Sequence, residues 1–296
     1  MKLKKVVTLF TRTPLHVGAG NSVGSIDSPI IRERHTNVAL IPGSSLKGVL
    51  ADLWKNEKIG TKIVDGKEVD VLGRGKEARD IFGDDSQDKF CAGELLVGEA
   101  RVVAFPVRSA KNSFVWIVSP MILQRFYRDL GKNMPTLPSL DERTCLAPDE
   151  VCLADNNVVL EEYLFTRTDT VSQEIVDAFK KLSNEPLWKD TIASRLVIVN
   201  DEIFSYFVKN ACEVTTRIRI DDTTGSVAKG ALFYQEQLPS ETMLYALLGE
   251  LDLPKNPPVN AVDKVKTKVE QANNVLQIGG DATIGLGFCS VNFINL

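Results

Sequence analysis

Residues 215–237, TTRIRIDDTTGSVAKGALFYQEQ, constrain the fold more than any other stretch. Polar and apolar side chains alternate on both sides of a DDTTG turn. Successive side chains of a strand point to opposite faces, so two alternating arms around an Asp/Gly turn predict an antiparallel β-hairpin. Other strand and helix patterns are interspersed along the chain. Strands are expected at 3–10, near 37–41, in ELLVGEARVVAFPV and SFVWIVS, and in VVLEEYLF and SRLVIVND. Helices are expected in PMILQRFYRDL, SQEIVDAFKKLS, EIFSYFVKNA and NAVDKVKTKVEQANNVL. GSSLKGVLADLWKN reads as a helix with a Ser N-cap and Leu46, Val49, Leu50 and Leu53 on one face. Interspersed elements with at least one antiparallel hairpin give an α+β class. Residues 56–93, polar and rich in Gly and Asp, and 131–157, punctuated by Pro135, Pro138 and Pro148, read as excursions.

A chain of 296 residues with 44% hydrophobic content can bury a substantial core, as one elaborated domain or two intimately joined halves. The basic start MKLKKVVTLFTRT alternates like a strand rather than running apolar like a signal peptide. No stretch approaches the ~18 apolar residues of a membrane span. Five cysteines without a CxxC pair encode neither a disulfide framework nor a zinc site. These features predict a soluble, cytoplasmic protein. The net charge of −4 argues mildly against indiscriminate nucleic-acid binding, but charge is unevenly spread. Residues 1–60 hold nine Lys/Arg against four Asp/Glu, a local excess of five positive charges. Because salt screens beyond roughly 8–10 Å, a basic face on an acidic body stays compatible with RNA.

Residues 16–48, HVGAGNSVGSIDSPIIRERHTNVALIPGSSLKG, combine a glycine-spaced loop holding one acid, Asp27, with a basic segment and a Ser/Lys turn. In IPGSSLKG, Ser44 and Ser45 offer hydroxyls, the helix N-terminus offers amides and Lys47 offers a cation; together these suit phosphate or serve as a plain helix cap. GGDATIGLGF places Gly279, Gly280, Gly285 and Gly287 beside a strand, as an amide cradle or a tight turn. It matches neither a P-loop nor a dinucleotide fingerprint. Asp27 is either a turn residue or a lone carboxylate beside a phosphate-gripping surface, which suggests metal-assisted phosphodiester chemistry. His16 and His35 lack metal-ligand spacing with a second histidine or cysteine.

HVGAG, DSPIIRERHT, IPGSSLKG and GGDATIGLGF, in this order and together with the hairpin, resemble the RAMP superfamily of CRISPR proteins. The resemblance is strongest to the repeated backbone subunit of the type III-B (Cmr) effector complex, with the type III-A backbone subunit as the nearest relative. It spans essentially the whole chain, apart from about residues 56–157, which match little.

That resemblance implies a single RAMP domain over 1–296. It would have an RRM-like (ferredoxin-like) palm, a variable insertion at about 56–157 and a protruding β-hairpin thumb at about 214–235. It implies head-to-tail stacking of copies along a guide (CRISPR) RNA, with other Cmr subunits as partners and single-stranded RNA as target. Guide contacts would fall to Ser44, Ser45, Lys47, Arg32, Arg34, Gly279, Gly280, Gly285 and Gly287. Ile218, Ile220 and Val227 would be thumb wedge residues that splay a nucleotide from the guide–target duplex. The family's key aspartate corresponds to Asp27, as catalytic residue and ligand of a divalent metal such as Mg²⁺, with His16, Tyr234 and Glu236 secondary. A non-catalytic RNA-binding scaffold is the competing reading.

Overall fold

The computed structural model describes residues 2–20, 24, 26–65, 67–84, 91–228, 230–253 and 259–296. Its main feature is a twelve-stranded mixed sheet. At its centre Lys2–Thr11 lies antiparallel to Met243–Glu250 on one side and to Phe288–Asn295 on the other. Ala100–Arg108 pairs antiparallel with the far edge of Met243–Glu250. The helix Gly43–Asp52 falls between Lys2–Thr11 and Ala100–Arg108 in the chain, and the helix Ala261–Gln271 between Met243–Glu250 and Phe288–Asn295. Beyond Ala100–Arg108 the sheet continues through Phe114–Val118, Leu196–Ile198, Thr144–Leu146, Tyr163–Asp169 and Asn157–Leu160.

Every residue from Val6 to Thr11 is buried, so both faces of the central strand are covered. The apolar run VVTLF is the sequence cause, since a strand with one wet face would alternate. Behind it Phe10 packs edge-on against Trp188 at 5.6 Å, and Trp188 against Trp116 at 4.8 Å. The helix Pro120–Asp129 buries Ile122, Leu123, Phe126 and Tyr127; Ser119 caps it by accepting from the Ile122 amide, and Pro120 opens its first turn.

Three expectations change. The Gly43–Asp52 helix buries Leu46 and Leu50, yet its N-cap is Pro42, with no side-chain cap, so both serines lie in the first turn. VVLEEYLF is not one strand: it folds back at Glu161, where φ is 51°, to pair Asn157–Leu160 with Tyr163–Asp169. Residues 56–93 are not one polar excursion either. Glu57–Val64 and Lys67–Gly73 form a separate hairpin, while Leu95–Val97, Ala100–Arg108 and Phe114–Val118 enter the main sheet. The two-sided polarity of EKIGTKIV hides a strand pattern, since neither face of that hairpin is buried.

Candidate active site and nucleic-acid interface

The 215–237 pattern does fold as a hairpin, with Glu213–Arg217 pairing Phe233–Gln237. Its tip is closed by Asp221, whose Oδ1 accepts from the amides of Thr223 and Thr224 at 2.9 and 3.1 Å. The free edge of Phe233–Gln237 is filled by residues 27–28. The Ser28 amide donates to the Tyr234 carbonyl at 3.0 Å, and the Glu236 amide to the Ser28 carbonyl at 2.9 Å. The Tyr234 amide donates to Asp27 Oδ2 at 2.8 Å. This side chain–backbone bond fixes Asp27 against the hairpin base while leaving the residue exposed. Oδ1 has no hydrogen-bond partner among the described residues. Asp27 and Tyr234 are thus brought together through the Tyr234 backbone, and the Tyr234 ring stays 41% exposed.

His16 and Glu236 reach the same place from below. His16 Nδ1–H donates to the Glu236 carbonyl at 2.7 Å, and Nε2 lies 3.1 Å from Ser28 Oγ. The Glu236 carboxylate is buried; it accepts from the Ile30 amide at 2.9 Å and from Arg32 Nη2 at 2.5 Å. Both oxygens are therefore committed to holding the Asp27 loop. Arg32, expected on RNA, turns inward: it also donates to the carbonyls of Asn37 and Val208 and to Cys212 Sγ. Glu33, next to it, is clasped by Arg125 at 2.9 Å. Arg34 is exposed, and of the basic run it is the arginine that faces solvent.

The glycine-rich loop closes over His16. Gly279 has φ +81°, and a Cβ there would lie 2.2 Å from the His16 carbonyl oxygen, so no larger residue fits. The Gly280 amide donates to that carbonyl at 2.9 Å. Gly287, at φ +77°, lies against the Ile278 carbonyl, whereas Gly285, at φ +86°, faces open space. Three of these four amides are thus spent on the protein: Gly280 on His16, Gly285 on Ala282 at 3.1 Å and Gly287 on Pro14 at 2.8 Å. Sequence reasoning missed three further residues here. Gln235 Nε2 donates to Asp281 Oδ2 at 2.6 Å, and Arg217 Nε to Gln235 Oε1 at 2.9 Å, stitching the loop to the hairpin base. Asp281, inside GGDATIG, was the available signal for this contact.

At the Gly43–Asp52 helix Ser44 is exposed, and burial pulls the Lys47 ammonium below its usual pKa with no acidic partner among the described residues. A half-buried, unpaired cation beside uncapped amides suits an anion better than it suits folding. Ile218, Ile220 and Val227 are 51%, 48% and 46% exposed, with Ile220 and Val227 bridged across the hairpin. These apolar side chains are left wet on the hairpin and are free to meet a partner surface. No group of three or more His, Cys, Asp or Glu among the described residues could cage a metal ion. Mg²⁺, however, keeps several waters and takes one or two carboxylates plus substrate phosphates, so a lone Asp27 with one free oxygen is compatible with it.

The chain is similar to known proteins over most of its length. The Cmr endoribonuclease Cmr4 of Pyrococcus furiosus is 35% identical over 295 residues, covering 97% of this chain and 94% of that protein. The Cms endoribonuclease Csm3 of Streptococcus thermophilus is 35% identical over 105 residues, 33% of this chain and 44% of the relative. Among solved structures, oligomeric Cmr4 from Pyrococcus furiosus superposes with a TM-score of 0.71 at 29% identity, covering 100% of this chain and 99% of that one. A type III-B Cmr-beta complex bound to cognate target RNA gives a TM-score of 0.71 at 18% identity, covering 98% and 96%, which speaks to the fold. The RAMP superfamily profile matches residues 8–290, and the chain belongs to that superfamily.

Proposed function

We propose that this chain is the guide-RNA-binding backbone subunit of a cytoplasmic type III-B CRISPR ribonucleoprotein. Copies stack head to tail with other Cmr subunits along the guide, and each cuts complementary target RNA once, at regular intervals. The observation that carries this reading is Asp27: an exposed carboxylate held by the Tyr234 amide at the base of a projecting hairpin. The near full-length likeness to a protein named Cmr endoribonuclease Cmr4 supports the type III-B assignment, since the type III-A likeness covers 33% of the chain.

On this reading the four strands ordered Ala100–Arg108, Met243–Glu250, Lys2–Thr11 and Phe288–Asn295 are an RRM-like, ferredoxin-like palm, and Glu213–Gln237 is the thumb. The antiparallel order with a helix in each half supports the palm. Ser44, Ser45, Lys47, Arg34 and the glycine-rich loop hold guide phosphates. The exposed Ile218, Ile220 and Val227 wedge into the duplex and splay a nucleotide. Splaying matters because RNA carries its own nucleophile. Stacked A-form geometry keeps the 2′-hydroxyl from in-line attack on the neighbouring phosphorus, and a kink aligns it. Asp27 then accepts or relays the 2′-hydroxyl proton, leaving a 2′,3′-cyclic phosphate and a 5′-hydroxyl. A divalent cation, Mg²⁺ on this reading, would be held by Asp27 and would supply charge neutralisation at the phosphate. Glu236 and His16 act as positioning residues rather than on substrate.

A scaffold role is favoured by one observation alone: Asp27 Oδ2 already accepts a backbone amide, as turn aspartates do. The test is to incubate reconstituted complex with end-labelled complementary RNA, with and without EDTA. Regularly spaced cuts bearing 2′,3′-cyclic termini, abolished by EDTA, are expected. Intact RNA in both arms would leave the scaffold.

A further inference from the structure

Beside the base of the Glu213–Arg217 strand, a cavity of about 550 Å³ opens under the 161–163 turn. It lies between that turn, the end of the helix Asp201–Asn210 and residues 239–241, a size typical of small-ligand sites. Four carboxylates line it: Glu161, Glu162, Glu213 and Glu241. Arg108 is its one lining cation, and Arg108 is fully engaged by Glu161, with Nη2 2.5 Å and the backbone amide 3.0 Å from that carboxylate. Glu162 also lies in the field of Arg108, whereas Glu213 and Glu241 have no cationic partner among the described residues.

Glu241 is half-buried, whereas Glu213 stands exposed at the start of its strand. Partial burial pushes the Glu241 carboxyl above its usual range. Glu241 Oε2 is a buried oxygen with no hydrogen-bond partner among the described residues. Its backbone is pinned in place: the Glu241 amide donates to the Thr11 carbonyl at 2.7 Å, and its carbonyl accepts from Trp116 Nε1 at 2.7 Å. An unpartnered buried acceptor is costly and native chains rarely keep one without use.

The remaining wall is aromatic. Tyr163 and Tyr206 meet edge to face with centroids 5.5 Å apart and their hydroxyls 2.8 Å apart, and Tyr163 packs on Phe207 at 5.7 Å. Both tyrosines remain partly exposed, at 37% and 44%. Ring faces attract organic cations, whereas a hard metal ion needs a tight set of oxygens. We propose that this cavity is a binding site for an organic cation, an amine or guanidinium on an aliphatic stem. The cation lies against the exposed surface of Tyr163 and Tyr206 and pairs with Glu213 and Glu241. A free polyamine and a lysine or arginine side chain of a neighbouring chain share this chemistry.

The test is isothermal titration of the full chain with spermidine, for the free amine, and with N-acetyl-arginine amide, for the side chain. One saturable site is expected, and the tighter ligand identifies the source. The double variant Glu213→Gln/Glu241→Gln should weaken binding by roughly tenfold or more. Tyr206→Ala, which keeps every charge, should weaken it by about two- to tenfold. Removing the same charge at exposed positions elsewhere, with Glu142→Gln/Asp190→Asn, should leave it unchanged. No saturable binding of either cation, or equal loss in the two double variants, would overturn the proposal.

Discussion

Two of the hairpins that stand apart from the main sheet are held in different ways. Both expose apolar side chains: Ile218, Ile220 and Leu232 on one, Ile59, Ile63 and Leu72 on the other. The hairpin of Glu213–Arg217 and Phe233–Gln237 is rooted in the protein, since Gln235, Glu236 and Gln237 are all buried. Residues 27–28 complete it as a third segment. The hairpin of Glu57–Val64 and Lys67–Gly73 has no buried residue on either strand. Its ties are partly exposed ion pairs such as Glu57–Lys268 at 3.0 Å and, just past it, Arg74–Asp52 at 2.7 Å. An isolated two-stranded hairpin is marginal in water, so the difference decides what each can do. The rooted hairpin can hold its tip and Asp27 in a fixed relation. The other is a surface appendage to which no chemistry is attached.

Truncating the anchor of each gives the largest contrast. Glu236→Ala strands the Arg32 guanidinium in a half-buried site and should cost about 3–5 kcal/mol. Glu57→Ala removes a partly exposed pair and should cost about 0–1 kcal/mol. Thermal unfolding of the two variants checks this, and equal losses would erase the distinction.

Shortening each tip comes next. Removing Asp221–Thr224 while keeping the strands paired should leave the sheet folded. Cleavage should fall more than guide binding, because the kink at each scissile phosphate is lost. Shortening the other hairpin at 64–67 should change neither. Footprinting the guide in assembled complexes separates the outcomes: regularly spaced reactive nucleotides should vanish only in the first variant. If both trims alter the footprint alike, the second hairpin is not a mere appendage.

The rooted hairpin has a cost close by. Four residues past Gln237, burial pushes the Glu241 carboxyl from 4.5 up to about 7. The folded state holds this proton more tightly, so stability is full below about pH 4.5 and falls as pH rises through 7. Glu241→Gln should therefore raise stability by about 1–2 kcal/mol at pH 8 and by nothing near pH 4, read from denaturant midpoints. A gain that does not depend on pH would place its origin elsewhere.

The smallest effect concerns a residue on neither hairpin. Lys47→Ala should weaken guide binding modestly and reduce the log–log salt slope by ~0.7, as for one phosphate contact on single-stranded RNA. An unchanged slope would make Lys47 an ordinary helix residue.

How much of this was legible depended on the range of each contact. The thumb-like hairpin was readable because alternation and the DDTTG turn are local signals, and the Gly43–Asp52 helix because its apolar spacing is local too. Its cap was misassigned because Pro42 takes the position that two following serines seemed to claim. Arg32 read as a surface cation since nothing near it in sequence reveals Glu236 and Cys212, its partners from the far side of the chain. Glu236 read as a reactive carboxylate for the same reason. Asp27 stood out as a lone acid in a glycine loop, but its tether to Tyr234 spans 207 positions and needed the fold. The 57–73 hairpin escaped notice because a strand with two wet faces has no alternation to find.

The central claim is that Asp27, not the hairpin that holds it, performs the chemistry. Its direct test is Asp27→Ala in reconstituted complex, with cleavage of end-labelled complementary RNA and target affinity measured on the same preparation. Asp27 is exposed and its side chain makes one hydrogen bond among the described residues, so folding should change little. The account predicts that cleavage is abolished at every regular position while assembly and target binding stay nearly intact. Cuts at the same positions and the same rate would contradict it, and would return Asp27 to the role of a turn residue.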